Sequence, residues 1–112
     1  MKILIVEDNT QTIQHLRLWL GDLASEIIEC EDGAEALECY RKCFPDWVLM
    51  DWEMKRMDGL TATREIISAY PAAKILIVTL HNKNELQTAA EKAGACGFIC
   101  KDNLQTLRQF LI

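Results

Sequence analysis

The chain has 112 residues, half of them apolar, with 12 Lys and Arg against 17 Asp and Glu and a formal net charge of −5. This length predicts one domain, residues 1–112, with a core large enough to fold without disulfides or metals. The apolar content excludes a disordered chain. The negative net charge argues against direct binding of nucleic acid, which requires clustered Lys and Arg.

Nothing in the chain has the composition of a membrane or secretion signal. The longest apolar runs are far shorter than the ~20 residues of a membrane span, and the four apolar residues 3–6 are too few for the core of a signal peptide. Five cysteines cannot all pair within one chain, which is typical of a reducing compartment. We therefore expect a cytoplasmic protein without a membrane partner.

Five short apolar runs alternate with segments of helical period, and each run predicts a β-strand. The runs cover residues 3–6, 26–30, 47–50, 74–79 and 96–100. Four of them are almost continuously apolar, which is typical of strands covered on both faces. The run 26–30 alternates with charged residues and is predicted at an edge of the sheet.

Each segment between the runs has one apolar stripe with helical spacing. The stripes are Ile13, Leu16, Leu20 and Leu23; Leu37, Tyr40 and Phe44; Leu60, Ile67 and Tyr70; Leu86, Ala89, Ala90 and Ala93; and Leu104, Leu107 and Leu111. The pair Asp32-Gly33 predicts a turn before the second helix, and Gly94 is predicted to follow the fourth. Asp102 or Asn103 is expected to cap a short last helix. Alternating strands and helices predict a doubly wound α/β fold around a five-stranded parallel sheet.

Polar residues follow four of the predicted strands at the point where each strand ends. They are Glu7 and Asp8, Asp51, Thr79 and Lys101. Strand ends are often polar simply because they reach the surface. However, parallel strands present their carboxyl ends at one edge of the sheet, where such folds bind ligands. We therefore expect three carboxylates, a hydroxyl and an ammonium group to form one cluster.

The three carboxylates of this cluster carry more negative charge than Lys101 can neutralise. Two like charges 4 Å apart repel by about 4 kcal/mol at an effective dielectric constant near 20, and Lys101 neutralises only one of three carboxylates. Either a carboxyl group is protonated, with a raised pKa, or a divalent cation such as Mg²⁺ is bound; we favour the cation. Asp51 is then the candidate nucleophile for an aspartyl phosphate, with Glu7 and Asp8 holding the metal and Thr79 and Lys101 contacting the phosphate.

The segments that carry these residues resemble the receiver domain of two-component response regulators. In chain order they are Ile-Leu-Ile-Val-Glu-Asp (3–8), Val-Leu-Met-Asp (48–51), Met-Asp-Gly (57–59), Ile-Val-Thr (77–79) and Gly-Phe-Ile-Cys-Lys (97–101). The match extends along the whole chain. It implies a flavodoxin-like sheet with strand order 2-1-3-4-5 and five helices. It also implies that a histidine kinase, or a small acyl phosphate, phosphorylates Asp51 with Mg²⁺ bound.

The resemblance further implies a role for individual residues. Asp8 and Asp51 would be direct metal ligands beside Glu7, and the backbone carbonyl of Glu53 would be another. Thr79 and Phe98 match the pair that rearranges on phosphorylation. Glu53 and His81 occupy positions that tune the lifetime of the phosphoryl group, although His81 is equally well explained as a loop residue without a role.

The expected output is a changed surface for an effector domain or a downstream protein, or a phosphorylation-dependent homodimer, in a process such as transcription regulation. The effector domain is absent from these 112 residues. The domain itself would catalyse only its own phosphorylation and slow dephosphorylation. Two other functions remain open: an interaction module that signals without phosphoryl transfer, and a Mg²⁺-dependent phosphatase with Asp51 as nucleophile and Glu53 as acid.

The sequence departs from the family pattern in four places. Lys55 and Asp102 replace common prolines, and Leu80 replaces a small residue after Thr79. The last helix is also predicted to be short, which affects the usual output and dimer face. Trp52, directly after the candidate nucleophile, is predicted to cover the metal site or to contact a partner.

Overall fold

Five strands alternate with five α-helices in the computed structural model, which describes residues 1–54, 56–80 and 84–111. The strands are β1 (Lys2–Val6), β2 (Glu26–Cys30), β3 (Trp47–Asp51), β4 (Ile75–Thr79) and β5 (Gly97–Cys100). The helices are α1 (Thr10–Leu20), α2 (Gly33–Cys43), α3 (Gly59–Ala69), α4 (Asn84–Lys92) and α5 (Leu107–Leu111), with 3-10 turns at Gly21–Leu23 and Lys101–Thr106. Every predicted strand is confirmed to within one residue at each end.

The five strands form one parallel sheet in the order β2-β1-β3-β4-β5. This confirms both the doubly wound fold and the strand order that the family resemblance implies, with β2 at an edge. In register, Val6 lies opposite Met50, Asp51 opposite Val78, and Thr79 opposite Cys100. The carboxyl ends of β1, β3, β4 and β5 therefore meet at the same edge of the sheet.

Alternate strand residues divide the core between the two faces of the sheet. One face packs against α2, α3 and α4, and its buried residues include Leu4, Val48 and Ile77. The other face packs against α1 and α5, and its buried residues include Ile5, Leu49 and Val78. β1, β3 and β4 are therefore covered on both faces, and their carboxyl ends emerge from a packed core. None of the helices in the described part of the chain has the length and apolar character of a membrane span.

The second helix differs from the prediction at both ends. The Asp32-Gly33 pair does not precede the helix as a separate turn: α2 begins at Gly33, and the Asp32 side chain caps it by accepting the N–H of Ala34 at 2.9 Å. Phe44 was expected in the buried stripe but is 62% exposed. The reason is that α2 ends at Cys43 and Phe44 takes a left-handed backbone (φ 44°), which turns its side chain away from the core.

The stripe predicted for α3 is displaced by one position. The fully buried side chains are Ala62, Thr63 and Ile66, whereas Leu60, Ile67 and Tyr70 are only half-buried. A stripe chosen by large apolar residues overlooks Ala62 and Thr63, which are small enough to let the helix lie close to the sheet.

The last helical segment also begins differently from the prediction. The 3-10 turn starts at Lys101 directly after β5, and Cys100 stands at its N-cap without a side-chain hydrogen bond. Asp102 lies inside this turn, whereas Asn103 interrupts it with a non-helical backbone (φ −133°, ψ 42°). Asn103 therefore stands directly before the last helical segment, where a cap is predicted, but its Oδ1 accepts the side-chain amide of Gln105. The apolar stripe itself is confirmed, because Leu104, Leu107 and Leu111 are buried and α5 has only five residues. Gly94 follows α4, as predicted, with φ 102°.

Candidate functional site

Three carboxylates meet at the carboxyl edge of the sheet. Glu7 and Asp8 follow β1 and Asp51 ends β3, and one oxygen from each lies within 4.8 Å of the other two. Glu7 is 1% exposed and Asp51 is 4% exposed, whereas Asp8 lies at the surface. The group therefore has two buried acids and one that opens to solvent.

Lys101 reaches into this group from the end of β5. Its Nζ lies 2.8 Å from Oε1 of Glu7 and 3.0 Å from Oδ1 of Asp51. Burial alone would lower the pKa of Lys101, but the contacts with the two carboxylates outweigh it and raise that pKa. The ammonium group is therefore charged at neutral pH and lies between the two buried acids.

The Glu7 carboxylate is held on both sides. Its Oε2 accepts the backbone N–H groups of Asp8 at 3.1 Å and Asn9 at 3.2 Å. Its Oε1 is buried and faces Lys101, without a hydrogen bond of suitable geometry in the described part of the chain. Burial, the largest cause, together with the neighbouring Asp51 raises the pKa of Glu7 to about 7 from its usual 4.5, although Lys101 opposes the shift.

This donor set fits a hard divalent cation. It consists of carboxylate oxygens, with one side exposed through Asp8, and a single ammonium group leaves the three acids with excess negative charge when all are ionised. Oxygen ligands of this kind suit Mg²⁺. The raised pKa of Glu7 agrees with the expectation that a carboxyl group of this cluster takes up a proton, and a bound cation would compete with that proton for the same oxygens.

A cavity of about 80 Å³ adjoins the acidic group and is lined by Asp51, Glu53, Thr79, Leu80 and Lys101. Thr79 is 1% exposed at the end of β4, so it faces this space from a fixed strand. Leu80 is 61% exposed, so its large side chain projects into solvent. The cavity therefore joins the predicted nucleophile, hydroxyl and ammonium group.

Two other predicted residues lie away from the acidic group's charges and against the apolar core. Phe98 in β5 and Trp52 after β3 are half-buried and pack against the core on the α2, α3 and α4 face. The Trp52 side chain thus lies partly inside the protein, and its predicted role as a cover of the metal site or as a partner contact stays a prediction. His81 and Lys55 lie outside the described residues.

Gly59 has a packing role that the sequence alone does not indicate. A Cβ atom at this position would lie 1.9 Å from the carbonyl oxygen of Asp51, and the Gly59 N–H donates to the carbonyl of Trp52 at 2.8 Å. The preceding Asp58 caps α3 by accepting the Thr61 N–H at 2.7 Å. An Asp-Gly pair before a helical segment is a usable signal for such a cap, but the close approach to Asp51 depends on tertiary structure.

Comparison with known proteins agrees with this geometry. Residues 3–111 match the model of the response regulator receiver domain. The chain is 37% identical over 100 residues to the chemotaxis protein CheY of Halobacterium salinarum, with 89% of this chain and 83% of that protein covered. It is 29% identical over 116 residues to the response regulator GacA of Pseudomonas aeruginosa, with coverages of 97% and 54%. Among solved structures, the BeF3-activated N-terminal receiver domain of Klebsiella pneumoniae RstA superposes with a TM-score of 0.86 at 25% identity, covering 99% of this chain and 98% of that one.

The chain therefore belongs to the response regulator receiver domain family, whose members act as signalling switches in two-component systems. Its match to longer regulators is partial. It spans 32% of the transcriptional regulatory protein DegU of Brevibacillus brevis and 54% of GacA. The comparison thus shows the family of this domain. It does not assign the activities of those longer proteins to this chain.

Proposed function

We propose that this chain is a phosphorylation-activated switch in which Asp51 accepts the phosphoryl group. The observation that carries this proposal is the position of Asp51. Its buried carboxylate ends β3, borders the cavity that Thr79 also lines, and lies 3.0 Å from the Lys101 ammonium group. A buried carboxylate beside a fixed positive charge and a hydroxyl has the parts that phosphoryl transfer needs, namely a nucleophile and groups that stabilise charge on the phosphoryl oxygens.

The phosphodonor is a histidine kinase or a small acyl phosphate. An Asp51 oxygen attacks phosphorus and forms a new P–O bond while the bond to the donor breaks. The leaving histidine nitrogen, or the acyl carboxylate oxygen, keeps the electron pair. Lys101 and Thr79 contact the phosphoryl oxygens, and hydrolysis by water later returns the Asp51 carboxylate and inorganic phosphate. This slow self-dephosphorylation is the only further reaction that we assign to the domain.

The metal site uses the acids already described. Mg²⁺ would be held by Asp8 and Asp51, with Glu7 beside them and the Glu53 backbone carbonyl as a further ligand, and it would supply positive charge to the phosphoryl oxygens. The oxygen donors of Glu7, Asp8 and Asp51 within 4.8 Å of one another support this assignment.

The signal then passes from Thr79 to Phe98. Thr79 is buried at the end of β4, and Phe98 packs partly into the core from the neighbouring strand β5. Movement of the Thr79 hydroxyl towards the phosphate would leave space that the Phe98 ring can fill, changing the surface beside β5. Glu53 and His81 are proposed to adjust the lifetime of the phosphoryl group.

We further propose that residues 1–112 act as one receiver domain whose altered surface is bound by an effector domain, a downstream protein or a second copy of the chain. Similarity to transcriptional regulators supports an output in transcription regulation. Asp8, Asp51, Thr79 and Lys101 are all present, which favours a phosphoryl switch over a receiver-like module that works without phosphorylation.

Incubation with Mg²⁺ and acetyl phosphate, followed by intact-mass measurement, tests the proposal. We expect one phosphoryl group on the wild-type chain and on the control variant Asp102→Asn, which removes an exposed acid. Asp51→Asn should remain unmodified. Absence of modification with any acyl phosphate or kinase would favour the interaction module, and multiple turnover of a small phosphate ester would favour the phosphatase.

A further inference from the structure

The segment between β3 and α3, here called the β3–α3 loop, begins directly after Asp51, and its described residues are 52–54 and 56–58. Its base is closed by the hydrogen bond from the Gly59 N–H to the Trp52 carbonyl, and Gly59 lies against the Asp51 backbone. Any change in the course of this loop therefore acts on the backbone next to the phosphoacceptor.

The far side of the loop lies on the first residue of α2. A Cβ atom on Gly33 would be 2.4 Å from the Met57 carbonyl oxygen and 3.1 Å from Cε of Met54. This approach is possible because Gly33 has no side chain. The loop thus leaves the end of β3 and contacts the start of α2 at the carboxyl edge of the sheet.

Arg56 adds ion pairs to this contact between the loop and α2. Its Nε pairs with Oδ2 of Asp32, the residue that caps α2, and its Nη2 lies 3.6 Å from Oε1 of Glu35 in the first turn of that helix. Asp32 is only 17% exposed in its side chain, although Arg56 itself is 65% exposed. The guanidinium group therefore spans two acids of α2 from the loop that follows Asp51.

The same contact borders the acidic group. Asp8, Glu31, Asp32, Glu35 and Arg56 line a cavity of about 320 Å³, so the exposed acid of the predicted metal site shares a wall with the Arg56 ion pairs. Arg56 of the loop, Asp32 and Glu35 at the start of α2, and Asp8 therefore border one common cavity.

We infer that Arg56 is a positioning residue: by binding Asp32 and Glu35, it holds the β3–α3 loop in the arrangement that binds the divalent cation. This inference rests on the proposed Mg²⁺ site. Side chains that orient metal ligands commonly change metal affinity without touching the metal themselves. The Glu53 carbonyl belongs to the same loop, so a loose loop would displace a proposed ligand.

Electrostatics alone predicts the opposite effect of removing Arg56. The side chain carries a positive charge beside an acidic cluster, so its loss should strengthen the attraction of the site for a cation. If Arg56 instead acts by holding the loop, its loss should weaken cation binding. The sign of the change therefore separates the two explanations.

The experiment is a Mg²⁺ titration of the full chain, followed by tryptophan fluorescence and calorimetry at fixed pH and ionic strength. We expect Arg56→Ala to bind Mg²⁺ roughly 10-fold more weakly than wild type, the low end of the usual range for such groups, because the Arg56 side chain is exposed. The double variant Arg56→Ala/Asp32→Asn restores the wild-type net charge, keeps a good helix cap, and should be weakened to the same degree. Arg56→Lys should be intermediate, because one ammonium group cannot span both acids.

Arg17→Ala is the matched control, because Arg17 forms an exposed ion pair with Glu29 outside the site. It should bind Mg²⁺ as wild type does, and the urea midpoint of Arg56→Ala without Mg²⁺ should match that of this control. Equal or tighter Mg²⁺ binding by Arg56→Ala, or wild-type affinity in the double variant, would overturn the inference. If the wild-type chain itself shows no Mg²⁺ binding that Asp51→Asn weakens, the metal site of the proposed function fails instead.

Discussion

Two sets of ion pairs in this protein have similar chemistry and different surroundings. Lys101 contacts Glu7 and Asp51, and the three side chains are 13%, 2% and 4% exposed. Arg17 pairs with Glu29 between α1 and β2, and these side chains are 46% and 41% exposed. Both sets place a cation against a carboxylate, but only the first excludes water.

The difference shows that burial decides what each contact does. Charges at the surface are already stabilised by water, so an exposed pair contributes about 0–1 kcal/mol. Charges in the interior have lost their hydration, so each depends on its partner, and removing one leaves the other uncompensated. The buried set is therefore poorly suited to stabilising the fold and well suited to a site in which a proton, a cation or a phosphoryl group changes the balance of charge.

Lys101→Met should have the largest effect on stability. It leaves Glu7 and Asp51 buried without a cation, and we expect the free energy of unfolding at pH 7 without Mg²⁺ to fall by about 3 kcal/mol. The loss should shrink at pH 5, where Glu7 is protonated, and on addition of Mg²⁺. Urea denaturation measures it, with the exposed Lys92→Met as control. A loss of unfolding free energy below ~1 kcal/mol would show that the buried ion pairs contribute no more than an exposed pair does.

The pH dependence of the free energy of unfolding tests the raised pKa of Glu7. Its pKa is raised to about 7 in the folded protein from 4.5, so between these values the folded state binds more protons than the unfolded state. Stability from this group is therefore fully present below pH ~4.5 and is lost as the pH rises through about 7, by about 3 kcal/mol at most. In metal-free buffer, wild type should lose stability relative to Glu7→Gln between pH 5 and 8. A constant difference between the two proteins would contradict the raised pKa.

The smallest effect is expected for the exposed pair. Arg17→Ala and Glu29→Gln should each change the free energy of unfolding by less than about 1 kcal/mol, and 1 M salt should remove most of the difference from wild type. Thermal and urea denaturation at low and high salt measure this. A loss as large as that of Lys101→Met would show that exposure does not separate the two sets.

The strands of the sheet could be predicted from the sequence because each strand is indicated by a short, local run of apolar residues. Continuous apolar runs indicate strands that are buried on both faces. The edge strand β2 is indicated by its charged residues Glu26 and Glu29, which are exposed. The grouping of strand-end residues follows from parallel topology alone. For this reason Glu7, Asp51 and Lys101 could be placed together before any distance was known.

Other features depend on contacts between distant parts of the chain. The buried face of α3 uses Ala62 and Thr63, which a search for large apolar residues overlooks. Arg56 meets Asp32 across 24 positions of sequence, and no spacing rule indicates that pair. The pKa of Glu7 likewise depends on its burial, which is a property of the folded chain.

We expect Asp51, and no other acid of the cluster, to carry the phosphoryl group. Borohydride reduces an acyl phosphate to an alcohol, so reduction after treatment with acetyl phosphate and Mg²⁺ leaves a stable mark that peptide mass spectrometry can locate. We predict that the mark lies at Asp51 alone and disappears when Mg²⁺ is removed. A mark at Glu7, Asp8 or Glu53 with Asp51 unmodified would show that Asp51 is not the phosphoacceptor.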